Sequence, residues 1–302
     1  MKKSRFFFFS LTFLLSIITM HAQKYAPYTM GARTHGNIAE VTRQVKAALT
    51  GSGFVVLGSY KPANAPGKRV IAITSPQLKA AVRKTGGLRG FALALRVGVT
   101  KEKGGVSISY TTPEYWASAY FQKDYPSVKA NIANVSAKLA KALAPLGSEG
   151  GTPFGISARM SVKDLKGYHY MFGMPYFEDN IVLHTFRNYS EAVQTIDANF
   201  KRGKKHLIKV YEVALPGQKI KLYGVGLRGP SGESNFLPTI DFQYPHHTPF
   251  LPYEMLVYKN KVYMLHGRYR IALSFPDLSM GTFMKIVSTP GNIETLLKSA
   301  TE

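Results

Sequence analysis

Eight histidines and no cysteine set the chemistry open to this 302-residue chain. His169 and His184 lie in sequence beside Glu178 and Asp179. A histidine with a carboxylate can act as a general base, and the same pairing is how a half-buried histidine is satisfied. His246 and His247 stand together between Pro245 and Pro249. Neighbours in an extended chain point to opposite faces, so both rarely reach one metal. A metal site would need one of them to meet His266, Glu254 or Asp241, and no helix carries the two-histidine-plus-glutamate zinc pattern. Gly224-Val-Gly226-Leu-Arg-Gly229 fits a dinucleotide fingerprint by letter, but that mechanism needs a helix opening at the third glycine. Pro230-Ser-Gly232 follows instead, which reads as a turn. No Gly-x-Ser-x-Gly elbow supplies a nucleophile. The absence of cysteine excludes disulfides, thiolate metal sites and a thiol nucleophile. No cofactor is expected, and local hydrogen bonding accounts for the histidines more simply than catalysis does.

Two aromatic groups form a second kind of candidate. Tyr115, Trp116, Tyr120 and Phe121 follow Pro113, while Phe172, Tyr176 and Phe177 sit in the dense segment Tyr168–Asp179. Together they are placed to line an apolar cleft between modules, where ligand sites often fall. The competing reading is packing of one module on the other, because buried aromatics mainly supply core area.

The elements that must position these residues come in a repeated order. Val106–Tyr110 leads through Thr111-Thr-Pro113-Glu114 and Ala119-Tyr-Phe121 to a helix near Ser127. Tyr269–Leu273 leads through Ser274-Phe-Pro276-Asp277 and Thr282-Phe-Met284 to a helix near Thr289. The first module, 23–143, predicts a strand at Tyr28–Ala32 and a helix with Val41, Val45 and Leu49 on one face. Strands follow at Phe54–Tyr60 and Val70–Thr74. Ser75-Pro76 opens a short helix. Phe91–Val99 alternates, and Val106–Tyr110 returns after a Gly-Gly turn. The last helix carries Val128, Ile132, Val135 and Leu139. Residues 144–180 read as a Gly/Pro-rich linker and the aromatic segment. The second module, 181–302, predicts a strand at Ile181–Phe186, a helix capped by Ser190, and paired strands at Leu207–Ala214 and Lys219–Leu227. An excursion at Arg228–Phe250 takes the place of the short middle helix. A hairpin of Leu251–Tyr258 with Val262–Phe275 and a final helix complete it. Each module thus reads strand, helix, four strands, helix. The fold class is α+β, with an antiparallel sheet covered by helices.

Lys2, Lys3 and Arg5 precede the apolar run Phe6–Met20, and Ala22 offers a small residue for cleavage. Residues 1–22 therefore read as a signal peptide, which places the mature protein in the periplasm or outside the cell, with no membrane span after removal. The chain carries 39 Lys and Arg against 17 Asp and Glu. Residues 23–150 hold 18 against 5, and residues 151–302 hold 18 against 12. The basic first half suits an anionic envelope surface, with no nucleic acid expected. A merely solubilising surface is the plainer reading, since the charges are scattered singly.

This ordered set resembles the family known as domain of unknown function 302, in a tandem, secreted form. Its pieces are Gly53-Phe-Val-Val-Leu-Gly58, Thr74-Ser-Pro76 and Ser107–Pro113 in the first module. In the second they are Leu251-Pro-Tyr-Glu254 and Leu273–Ser279, with Tyr168–Asp179 between. The resemblance covers most of 28–143 and 181–300. It implies a curved sheet similar to that of TATA-binding protein, not DNA binding, and no settled activity. Ser75 stands where the family usually has Asn, and the excursion at 228–250 is long.

The leading expectation is an exported, non-catalytic envelope binding protein that holds a small apolar ligand between its modules. The alternatives are a hydrolase-like enzyme with an intermodule site at His169 or His184, and a basic module that binds anionic surfaces.

Overall fold

The computed structural model describes residues 23–302; the expected signal at 1–22 lies outside them. Local signals set the first helices. In α1 (Ile38–Gly51) Asn37 caps the start by accepting from the Glu40 amide, and Val41, Val45 and Leu49 form the buried face. Gly53, at φ +80°, takes the chain out of that helix, a backbone angle that glycine adopts without strain. In α2 (Pro76–Thr85) Ser75 accepts from the Leu78 amide and Pro76 fills the first position.

Two antiparallel sheets dominate. The first half supplies β1 (Lys24–Tyr25), β2 (Tyr28–Thr34), β3 (Val55–Tyr60), β4 (Lys68–Thr74), β5 (Leu95–Glu102) and β6 (Gly105–Thr111), followed by α3 (Pro113–Phe121) and α4 (Tyr125–Leu143). The connecting segment adds β7 (Pro153–Phe154), β8 (Met160–Ser161) and α5 (Val162–Lys166). The second half supplies β9 (Ile181–Thr185), α6 (Tyr189–Arg202), β10 (Leu207–Leu215), β11 (Ile220–Leu227), α7 (Glu233–Ile240), β12 (Tyr253–Tyr258), β13 (Lys261–Met264), α8 (Gly267–Ser274), α9 (Met280–Met284) and α10 (Thr289–Ser299). One sheet runs β3-β4-β5-β6-β2-β7 and the other β10-β11-β12-β13-β9. Without β7 the strand order is the same. The fold is α+β, as its alternating pattern and helix stripes predict.

Several local expectations are corrected. Tyr269–Leu273 is helical, within α8, and β13 stops at Met264. The alternation of Tyr269, Ile271 and Leu273 imitates a strand because α8 is buried nearly all round, so no 3.6-residue stripe survives. The strand expected from Phe91 starts at Leu95, after a 3-10 stretch at Gly87–Leu93. Asn188, not Ser190, caps α6. The excursion at 228–250 contains α7 in the place that α2 holds in the first half. The 144–167 segment is more than a connector. β7 pairs with β2, β8 pairs with β1, and Ser161 and Asp164 form a capping box for α5.

The halves interleave. The Gly87–Leu93 stretch packs on β11 and β12, while Thr248–Phe250 packs on β4, β5 and β6. Each half thereby covers part of the other's sheet. The approach is close. A Cβ on Gly90 would sit 2.6 Å from Leu256 Cδ1, and one on Gly98 would sit 2.9 Å from Pro249 Cδ. At the β3 and β10 edges a Cβ on Gly58 would come within 2.0 Å of the Val210 carbonyl oxygen. Glu233 at the start of α7 reaches into the first half. Its buried carboxylate accepts from Tyr60 Oη at 2.9 Å and the Ala63 amide at 2.6 Å, and from the Leu227 amide at 3.0 Å. Burial pushes its carboxyl up despite these three donors. Among the described residues no helix is long and apolar enough to cross a membrane.

Candidate functional site

Two polar clusters lie between the halves, and they differ in access. The first is closed. α3 and α8 meet with reciprocal bonds: Tyr115 Oη donates to the Leu273 carbonyl at 2.9 Å, and Tyr269 Oη to the Ala119 carbonyl at 3.4 Å. Next to those tyrosines, the Arg270 guanidinium lies 4.7 Å from the centre of the Trp116 ring. Arg96 on β5 donates to Glu254 on β12 at 2.6 Å, and Tyr211 Oη donates to the same oxygen at 2.6 Å. Arg270 Nη2 is 4.0 Å from the other oxygen and donates to the Phe250 carbonyl. Arg96, Arg270 and Glu254 are all buried. Burial alone would lower the Arg96 pKa, but the Glu254 charge overrides it and holds the guanidinium ionised. Tyr120 beside it is pushed up to about 12 by burial. The cluster is a packed junction of charge and aromatic rings with no open volume suited to a ligand.

The second cluster borders a pocket of about 240 Å³. Phe154 and Gly155 from the connecting segment form one wall, and the loop after α7 and the Phe275–Thr282 stretch form the others. Lys68 and Glu102, from the first half, position the loop. Lys68 Nζ donates to Asp241 Oδ2 at 2.8 Å, and the His246 amide donates to Glu102 Oε1 at 2.8 Å. Asp241 Oδ1 accepts from the His247 amide at 2.7 Å. Burial raises the Asp241 carboxyl, but His246 and the Lys68 charge outweigh it, so its pKa lies below the usual value.

His247 is the group with chemistry to spare. Its ring stacks on Phe275 at 4.6 Å and tilts against Tyr28 at 4.7 Å. Nδ1 lies 3.1 Å from the Ser274 carbonyl oxygen. A carbonyl only accepts, so Nδ1 carries the proton. Burial lowers the imidazole pKa further than Asp241 raises it, so the ring is neutral at pH 7. Nε2 is then a lone-pair acceptor, with no hydrogen-bond partner among the described residues and its ring lining the pocket. Phe242 and Tyr244, both 57% exposed, stand at the pocket. Asp277 also lines it and accepts from the Ser157 amide at 2.6 Å. The arrangement can accept one hydrogen bond beside aromatic surface, and its two carboxylates disfavour anions.

The other candidates are distributed elsewhere. His169, Phe172, Tyr176 and Asp179 come together around an open hollow, joined by His266 and Arg268. His169 stacks on Tyr176 at 4.4 Å, and its Nδ1 is 3.3 Å from the Gly167 carbonyl oxygen. Asp179 accepts from the Tyr176 amide, not from a histidine. His184 on β9 lies against Phe186 and meets none of them. Tyr115, Trp116 and Tyr120 are buried in the closed junction, while Phe172 is fully exposed and Tyr176 47% exposed. The two aromatic sets meet only by packing, with Phe177 5.5 Å from Tyr120 between ring centres, and do not line a common cleft. Of the proposed metal partners only Asp241 meets the histidine pair, with its Oδ2 3.6 Å from His246 Nδ1; Glu254 and His266 lie elsewhere. His246 Nδ1 donates to the Asp241 carbonyl, Glu254 pairs with Arg96, and His266 caps α8 by accepting from the Arg268 amide. Among the described residues no group of three or more His, Asp or Glu could hold a metal ion. His247 was visible in the sequence only as half of a pair. Lys68, Glu102 and Ser274 carry no local signal, because their roles depend on contacts far along the chain.

No family model and no curated protein matches the chain. Among solved structures it is similar to an uncharacterized conserved protein, domain of unknown function 302, from Bacillus stearothermophilus. That likeness has 19% identity and a TM-score of 0.35, over 40% of this chain and 98% of that chain.

Proposed function

We propose that this is a non-catalytic binding protein of the cell envelope, exported by its N-terminal segment and built as a tandem relative of domain of unknown function 302. Its pocket takes a small ligand with an apolar ring and one hydrogen-bond donor. The observation that carries the reading is His247 Nε2, an acceptor left without a partner beside Phe154, Phe275, Phe242 and Tyr244. A cavity of about 150 Å³ accommodates benzene, so the pocket's 240 Å³ suits one or two fused rings. The tandem reading is supported by the shared strand order and the reciprocal bonds of Tyr115 and Tyr269. The export reading is supported by Lys2, Lys3, Arg5 and the Phe6–Met20 run.

The enzyme alternative would make His247 the base in place of His169 or His184. Among the described residues no hydroxyl is hydrogen-bonded to that base, and the Ser279 and Thr282 hydroxyls at the pocket bond each other at 2.9 Å. Equilibrium dialysis with phenol tests the binding reading. Thr282→Trp, which fills the pocket, should abolish saturable uptake while leaving the melting temperature close to that of the parent. Undiminished uptake by that variant would refute the reading.

A further inference from the structure

We infer that the face carrying α9 and the Met171–Tyr176 loop docks on an anionic lipid bilayer. The inference stands whether or not the His247 pocket takes a ligand. The loop is fixed at its base: Tyr168 Oη donates to the Ala272 carbonyl at 2.9 Å, Tyr170 Oη to the Leu278 carbonyl at 2.6 Å, and Phe177 is buried. From that base it holds Phe172 out, fully exposed, with Met171 at 41%. Tyr170 and Met174 border a small apolar hollow with Leu278 and Phe283, which joins the loop to α9. There Met280 and Met284 are exposed as well. The result is a continuous apolar ridge rather than scattered single side chains, the kind of surface that marks an interaction site.

The occupant follows from shape and charge. Phe172 protrudes, fully exposed, at the rim of the open hollow it shares with His169, Tyr176 and Arg268, and methionine side chains are flexible and adaptable. Such a tip suits insertion into a deformable apolar medium. Arg268 and Lys285 flank the ridge, and Lys163 and Lys166 precede the loop. None of the four has a carboxylate within ion-pair distance among the described residues. Of the carboxylates nearby, Glu178 pairs with Arg89, while Asp164, Asp179 and Asp277 accept from backbone amides, which does not cancel their charge, so the attraction rests on the net charge of the chain. Residues 23–302 hold 36 Lys and Arg against 17 Asp and Glu, a net +19. That charge repels a second copy and attracts an anionic surface. Apolar insertion together with basic attraction is the combination by which peripheral proteins hold to membranes.

Co-sedimentation of residues 23–302 with phosphatidylglycerol–phosphatidylcholine vesicles tests this. The parent should bind these and not pure phosphatidylcholine. Phe172→Ser with Met284→Ser, both solvent-exposed positions, should weaken binding at least about tenfold, the expected loss for removing one large apolar insertion. Because the chain has no cysteine, Met171→Cys accepts a single environment-sensitive fluorophore, whose emission should shift to the blue only with the anionic vesicles. Equal binding by the double variant, or no blue shift while the protein is bound, would mean that net charge alone holds it and would overturn the inference. So would absence of binding to anionic vesicles at low salt.

Discussion

The Arg96–Glu254–Arg270 junction and the His247 pocket are both polar, both aromatic and both built from the two halves, and Ser274 joins them. Its hydroxyl accepts from Arg270 at 2.9 Å, and its carbonyl accepts from His247. They differ in what is left over. The junction places its charges against one another out of water, and the atoms it leaves without a hydrogen-bond partner, such as Glu254 Oε2 and Tyr120 Oη, are buried and face no open volume suited to a ligand. The pocket leaves one acceptor facing space. Buried charge is thus a poor guide to function here, and an unpartnered atom beside a cavity is a better one.

The comparison breaks if the junction proves dispensable. Glu254→Ala leaves two buried guanidinium groups without their carboxylate and should cost about 3–5 kcal/mol, read by chemical denaturation. A loss below about 1 kcal/mol would mean that the junction is hydrated and open. Gly58→Ala tests the interleaving of the halves. Its Cβ meets the Val210 backbone carbonyl, which cannot rotate away as a side chain can. The expected cost is about 1–3 kcal/mol, as for other overpacked sites. A neutral result would show that the β3 and β10 edges part easily.

The pocket should respond to pH. The folded pKa of His247 is lowered from its ordinary 6.5, so the unfolded chain binds this proton more readily. Its contribution to stability is present above 6.5 and is lost as pH falls from there through the folded value. His247→Phe, which keeps the stack on Phe275, should remove that part of the slope. An unchanged slope in the variant would place the titration elsewhere. The smallest effects belong to His169→Ala and His184→Ala. Each side chain is half-buried and touches mainly one neighbouring ring. Changes within about 0.5 kcal/mol are expected in thermal melts, as for other surface substitutions.

The sequence exposed the fold where burial was one-sided. Val41, Val45 and Leu49 announce α1, and Ser75-Pro76 announces α2. It misled where burial was complete. Tyr269, Ile271 and Leu273 look like a strand because α8 is buried everywhere but at Arg268 and Ala272. The Arg228–Phe250 excursion hid α7, since Pro238 and the glycines before it break any helical period. The site was legible only as residue types. His246-His247 and Asp241 could be named as a group with chemistry, but the choice of His247 rests on Ser274, Phe275 and Tyr28. Those contacts span up to 219 positions between Tyr28 and His247. Nor does spacing alone reveal that Trp116 and Phe172 lie on opposite sides of the solvent boundary.

The account rests on His247 Nε2 accepting a hydrogen bond from a ring-bearing ligand. Imidazole ¹⁵N resonances, followed by NMR during titration with phenol, anisole and benzoate, test it most directly. Phenol offers the donor, anisole lacks it, and benzoate brings the charge that Asp241 and Asp277 repel. The expected result is a saturable shift of the His247 Nε2 resonance with phenol, a much weaker response to anisole and none to benzoate, with His247→Phe losing phenol binding. Equal responses to phenol and anisole, or phenol binding that leaves Nε2 unmoved, would contradict the account.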